Sequence, residues 1–257
     1  METTVQRRHM PKPYLIYSPP FDITSGGIRV MYGLYGWLLA KGQVAFMNQR
    51  HDGPSIAIYP EIVRDNPLFG SKVVRYLLNK PGAMALYGVQ GPTEYPEEDM
   101  LVSFSKLYAD TPINLFLPIL DLHTFKVTNK GKREKVATLT GKHTEPVKIY
   151  GDLLDREFAS NQQQLADKLN ECQVLYCYDP NTAMTEIARL CGCRVVVIPS
   201  KYSKEEFQKY EPGMNGISWG LEEEILLDVE AFRDHYIGLV DKFSTDLDKF
   251  IEVTQHD

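Results

Sequence analysis

The segment richest in usable chemistry is Tyr178-Asp-Pro-Asn-Thr-Ala-Met-Thr-Glu-Ile-Ala-Arg-Leu-Cys-Gly192. An apolar run over 174–178 precedes it and reads as a strand. That strand delivers Asp179 to the carboxyl edge of a parallel sheet, where α/β folds bind ligands. Asn181 or Thr182 can cap the helix expected over 181–191. The start of that helix offers unpaired N–H groups and a positive dipole end, both suited to a phosphate. Glu186 lies at i+4 from Thr182, away from the apolar face of Met184, Ile187 and Cys191. A carboxylate there can accept two hydrogen bonds from a ribose diol. Phosphate and ribose would then be read by one helical turn. Spacing alone also admits an ordinary amphipathic helix with a solvated Glu186.

Other residues are candidates on weaker patterns. Ser25, Gly26 and Gly27 sit between a strand and a helix, where glycine lets backbone approach a ligand. A tight turn explains them equally well. Neither G-x-G-x-x-G nor G-x-x-x-x-G-K-[ST] occurs. Gly141-Lys142 ends a strand, and Lys142 there can neutralise a diphosphate or simply be solvated. Asp22 and His51 are the acid/base candidates of the first half. Asp246 and Asp248 form a D-x-D pattern, but in a polar terminal helix. The histidines at 9, 51, 123, 143, 235 and 256 show no metal-ligand spacing.

The elements that must position these groups follow from hydrophobic periodicity. Strands are expected over 14–17, 44–47, 55–59, 73–78 and 101–104. A helix is expected over 28–41, with Ile28, Met31, Tyr35, Leu38 and Leu39 on one face and Gly42 at its end. Strand, glycine loop, helix, glycine and strand make a βαβ unit, which favours a parallel sheet. Asp110 to the Pro118 region reads as a crossing segment, and the pattern then restarts. Strands are expected over 135–139, 147–150, 174–178 and 194–198. A further helix falls over 161–170, and 221–253 is mostly helical. The chain reads as two α/β halves in tandem, with no internal repeat by eye.

Composition narrows the function classes. The 257 residues are 43% hydrophobic and 24% charged, which fits globular folding with a real core. A net charge of −6 argues against a dedicated nucleic-acid binder. Cys172, Cys177, Cys191 and Cys193 cluster at spacings that fit neither a disulfide framework nor a zinc site. They read as buried, reduced thiols. The first twelve residues are polar, with Arg7 and Arg8, and show no secretory signal. No apolar run approaches a membrane span. A cytoplasmic location is expected, with contact to a membrane surface or further copies of the chain left open.

On these residues the sequence resembles the GT-B glycosyltransferases. Ser-Pro-Pro-Phe-Asp-Ile-Thr-Ser-Gly-Gly-Ile-Arg-Val over 18–30 looks like their first strand end, glycine loop and helix. The stretch 175–199 looks like their donor-binding strand, helix and strand, in which a glutamate contacts the nucleotide ribose; Glu186 matches it. Thr140-Gly-Lys142 resembles the strand end whose basic residue contacts the donor diphosphate. The chain is short for that fold, His143 stands where a second basic residue is usual, and Tyr178-Asp179 holds the place of an earlier glutamate. The resemblance implies an α/β fold of two Rossmann-like domains facing across a cleft, in a compact version. Residues 1–115 would form the acceptor side and 116–257 the donor side, with the last helix packing back across both.

The implied activity is metal-independent transfer of a hexose or pentose from a nucleotide sugar to a glycan or glycoconjugate. The nucleotide sugar is a substrate, and no cofactor or nucleic acid is required. Lys142, Tyr178, Asp179, Asn181, Thr182 and Glu186 would bind the donor. Ser25, Gly26 and Gly27 would line the acceptor side, with Asp22 or His51 as the catalytic group. The alternative is a non-catalytic GT-B-like subunit that binds a sugar, a nucleotide or a partner.

Overall fold

The computed structural model describes residues 11–143, 145–199 and 202–256; His9, Arg7 and Arg8 lie outside them. The protein is α/β, with two five-stranded parallel sheets. The first contains β1 (Tyr14–Ile16), β2 (Ala45–Met47), β3 (Ile56–Pro60), β4 (Lys72–Leu77) and β5 (Met100–Ser103), in spatial order β2-β1-β3-β4-β5. The second contains β6 (Lys135–Leu139), β7 (Asp152–Leu153), β8 (Cys172–Cys177), β9 (Arg194–Val197) and β10 (Ile217–Trp219), in order β7-β6-β8-β9-β10. Both sheets therefore share one topology: each first strand lies between its second and third. Each has a switch point, between β1 and β3 and between β6 and β8. Parallel α/β sheets bind ligands outside the carboxyl ends of the strands at such a point.

The short strands form because they are buried. Every residue of β1 and β3 is buried, so solid apolar runs replace alternation. Helix α1 (Gly26–Ala40) packs Val30, Met31, Leu34 and Leu38 on the first sheet, and Gly42 at φ +74° ends it. Helices α2 (Arg156–Ser160), α3 (Gln162–Glu171), α4 (Met184–Leu190) and α5 (Lys204–Phe207) belong to the second half. Asp155 and Asn161 cap α2 and α3 with their side chains, and Ser203 caps α5 in a capping box. The four cysteines are buried free thiols. Burial pushes Cys191 up to about 12, which leaves it a small apolar group rather than a nucleophile.

Several expected boundaries move. Residues 147–150 form no strand. The Thr138 hydroxyl accepts from Tyr150 N (2.7 Å) and donates to Tyr150 O (2.8 Å), replacing a ladder, and pairing resumes only at β7. Residues 221–228 are not helical. There the Glu223 carboxylate accepts from Trp219 N (2.6 Å), and the Asn215 side chain holds both backbone groups of Asp228.

The last helix, α6 (Val229–His256), begins where Asp228 Oδ1 accepts from Ala231 N. Its buried stripe is Phe232, Tyr236, Leu239, Phe243, Leu247, Phe250 and Thr254, spaced by three and four residues. The first three join the core of the second half, and Phe243, Leu247 and Phe250 join the core of the first. One 28-residue helix thus spans both cores. Its end is tied to the first half by Tyr14 hydroxyl to Thr254 (2.7 Å) and by Gln255 to both backbone groups of Lys12 (2.9 Å each). Asp246 and Asp248 lie on its polar side. Asp246 pairs with Lys242 and Lys249, and Asp248 with Lys41. No described helix is long and apolar enough to cross a membrane.

If α6 holds the halves together through its stripe, Phe243→Ala costs about 3–5 kcal/mol in urea unfolding. Lys41→Ala, which removes an exposed pair between the end of α1 and Asp248 of α6, costs under about 1 kcal/mol. Equal losses would contradict this division.

Candidate functional site

The two switch points face one cleft of about 590 Å³. From the first half it is lined by Ser25, Gly26 and Gly27 at the start of α1, and by Glu61 directly after β3. From the second half come Gly141 and Lys142 after β6, Asp179 after β8, and Asn181, Thr182 and Glu186 around α4. Tyr108, Tyr210 and Tyr236 also line it. The sequence-derived donor and loop residues are therefore brought together, apart from Tyr178. Its ring packs against His143 and its hydroxyl donates to Lys148 O (2.9 Å), away from the cleft lining.

Asp179 positions the turn beneath Lys142. Its Oδ2 accepts from Lys142 N (3.0 Å). Gly141 stands at φ +58°, where a Cβ would lie 2.5 Å from the Cβ of Asp179. Only glycine satisfies both the backbone angle and the contact. Across the cleft, Ser25 is the N-cap of α1 but makes no side-chain cap. The first-turn N–H groups of that helix have no intrahelical partner. The cleft thus carries positive character from both sides.

Around α4 the structure corrects the sequence expectation. The helix begins at Met184 with Ala183 as N-cap and no side-chain cap, not at Asn181. Asn181 is held instead by the first half: its Oδ1 accepts from the Tyr108 hydroxyl, and its Nδ2 donates to Asn79 Oδ1 (3.3 Å). Thr182 Oγ1 makes one long contact with Met184 N (3.4 Å).

Spacing sets Glu186 off the apolar face and also admits a solvated carboxylate, but every residue of α4 is buried and Glu186 is 3% exposed. The Tyr210 hydroxyl faces its carboxylate, and its Oε1 has no hydrogen-bond partner among the described residues. Burial pushes its pKa up to about 7, against the opposing pull of Arg189 and Tyr210. Arg189, also buried, donates to the carbonyls of Thr185, Pro212, Gly213 and Asn215 and lies over the Phe232 ring. It fixes the loop after α5 rather than neutralising Glu186 by a direct bond.

Neither acid/base candidate from the sequence lines the cleft. Asp22 accepts from Thr24 N and Oγ1 and pairs with Arg156 across the two halves (2.5 Å). Those bonds hold its carboxyl below the usual range, and the pair with Arg156 ties the two halves. His51 lies in an exposed turn, where its Nδ1 accepts from Gly53 N (3.0 Å).

Sequence reasoning missed Glu61. It is buried, its Oε2 accepts from Leu78 N (3.1 Å), and its carbonyl accepts from the Tyr95 hydroxyl (2.9 Å). Burial raises its carboxyl to about 7, opposed by its own and the Leu78 amide and by Lys142. The available signal was a carboxylate directly after the solid apolar run 56–60.

Both buried carboxyls bind a proton more tightly in the folded chain than in the unfolded one. Their sign is therefore destabilising as pH rises from about 4.5 to 7, by up to about 1.4 kcal/mol per unit per group. Glu186→Gln flattens part of this decline in urea unfolding at pH 5 to 8 and raises stability at pH 8. An unchanged slope would show that Glu186 is ionised throughout.

No protein-family model matches this sequence, and no curated protein matches it either.

Proposed function

We propose that this protein is a nucleotide-sugar-dependent glycosyltransferase of the GT-B type, with the donor bound mainly by its second half. One observation carries the reading. The facing switch points place in a single cleft a basic turn at Lys142 and a buried carboxylate, Glu186, with one oxygen that has no hydrogen-bond partner among the described residues. A nucleoside diphosphate has complementary chemistry in one molecule: an anion and a vicinal diol. The shared α/β topology and the helix that spans both cores support the same assignment.

In this reading the ribose hydroxyls donate to Glu186, and the diphosphate lies between Lys142, Thr182 and the uncapped first turn of α1. Asp179 and Asn181 hold the loops that present these groups. The cleft gathers charge at the leaving diphosphate through Lys142 and oriented N–H groups, which lowers the barrier to departure. The acceptor, a glycan or glycoconjugate hydroxyl, enters from the first half past Ser25, Gly26 and Gly27. A second reading, a non-catalytic GT-B-like subunit, is favoured by the placement of Asp22 and His51 outside the cleft lining.

Calorimetric titration with UDP, GDP, ADP and dTDP, followed by an assay for diphosphate released from the matching nucleotide sugars, separates these readings. Glu186→Ala and Lys142→Ala each weaken binding of the preferred nucleotide by about 1–3 kcal/mol, because each leaves a polar partner unmatched. Unchanged dissociation constants in both variants would contradict the assignment. Binding without any turnover would select the second reading.

A further inference from the structure

The catalytic reading needs a group to take the acceptor proton, and the structure supplies one that the sequence motifs do not contain. We infer that Glu61 is the catalytic base, accepting the proton of the acceptor hydroxyl as that oxygen attacks the sugar. The inference rests on the glycosyltransferase reading above.

Glu61, Asp155, Asp179 and Glu186 are the carboxylates among the described residues lining the cleft, and no histidine is among them. Asp155 is committed to capping α2, and Asp179 to the Lys142 turn. Glu186 lies on the donor side. Glu61 is the cleft carboxylate of the first half, and it stands at that half's switch point, between the strand ends that would receive an acceptor.

Its placement is rigid. Arg75, itself buried, pairs with Asp99 (2.6 Å) and donates to the carbonyls of Val63 (3.0 Å) and Asp65 (2.7 Å). Its guanidinium lies over the rings of Tyr59 and Tyr95. Tyr95 in turn holds the Glu61 carbonyl, and Leu78 N holds one carboxylate oxygen. A group that must meet a reacting atom at hydrogen-bond distance benefits from such fixed backing.

The titratable groups facing Glu61 are Lys142 from the second half and Tyr95 and Tyr108 from its own. Burial raises the Glu61 carboxyl and Lys142 lowers it, leaving it near 7. A base with that value is ionised above neutrality and still able to hold a proton.

The step balances. The acceptor O–H proton moves to the Glu61 carboxylate, and the acceptor oxygen forms a bond to the anomeric carbon. The bond from that carbon to the diphosphate oxygen breaks, and its electron pair leaves with the nucleoside diphosphate beside Lys142. A single displacement of this kind inverts the anomeric centre.

Glu61→Gln is the direct test, because the amide oxygen still accepts from Leu78 N. UDP-, GDP-, ADP- and dTDP-linked hexoses serve as donors, with water as acceptor, and diphosphate release is followed from pH 5.5 to 9. The expected wild-type rate falls below pH 7. Glu61→Gln loses about 10²- to 10⁴-fold and lacks that acid limb, while nucleoside diphosphate affinity stays within twofold. Proton NMR of the first-formed sugar should show the anomer opposite to the donor's.

A variant that turns over at the wild-type rate with the same profile overturns the role of Glu61 and leaves the glycosyltransferase reading standing. So does retention of configuration. A tenfold loss of nucleotide affinity makes Glu61 a binding group and also overturns the role. A wild type that releases no diphosphate removes the reading and the role together. Should Glu61→Gln fail to fold, Glu61→Asp is read in its place. A slowed rate that keeps the acid limb supports the role, and an unchanged rate overturns it.

Discussion

The single apolar stripe of α6 is the constraint on which the rest depends. Tyr236 and Leu239 lie in one core, and Phe243 and Leu247 lie in the other, one turn further along the same rigid rod. A helix is stiff over this distance, so the two sheets have little freedom to separate at that side. Their carboxyl edges are held toward one another, and the space between them becomes the cleft. The ties on the open side are polar and exposed: Asp22 with Arg156, and Lys80 with Glu206. Such pairs contribute little each and are weakened by salt. Apolar packing therefore sets the arrangement, and the ion pairs trim it.

The arrangement has an electrostatic consequence. Two carboxyl groups, one from each half, are taken out of water at the cleft. Among the described residues neither forms a salt bridge; Lys142 and Arg189 act on them only at longer range, and burial shifts both toward neutrality. Arg75 shows the alternative: equally buried, it is paired with Asp99 and fully used in holding the 61–69 loop. Glu186 Oε1 has no hydrogen-bond partner among the described residues, and a buried carboxyl of that kind in a cleft is what leads us to propose a functional site there.

Much of this was legible in the sequence because it depends on local pattern. The strand over 135–139 coincides with β6, and the helix over 161–170 lies one residue from α3, since apolar spacing and Asn161 as cap are local signals. Gly42 ends its helix as its place in the pattern implied, and it stands at positive φ, as do Gly141 and Gly192. The gathering of Gly26, Lys142, Asp179 and Glu186 in one cleft followed from their strand-end and helix-start positions. The rest depends on partners distant in sequence. Glu186 is buried because Tyr210 and Tyr236 come from α5's following turn and from α6 to cover it. Asn181 leaves the helix start because Tyr108, from the loop after β5, takes its side chain. Thr138 captures residue 150 by a side-chain bond that no strand propensity encodes. The common topology of the halves was invisible as a repeat, because it lies in strand order rather than in residue identity.

The central claim is that the cleft between the switch points grips a nucleoside diphosphate at Lys142 and Glu186. A crystal structure with the preferred nucleoside diphosphate bound tests it most directly. The expected result is phosphates within hydrogen-bond reach of Lys142 and the first turn of α1, with a ribose hydroxyl on Glu186. Density for the nucleotide elsewhere, or in the cleft with Glu186 untouched and still covered by Tyr210, would contradict it.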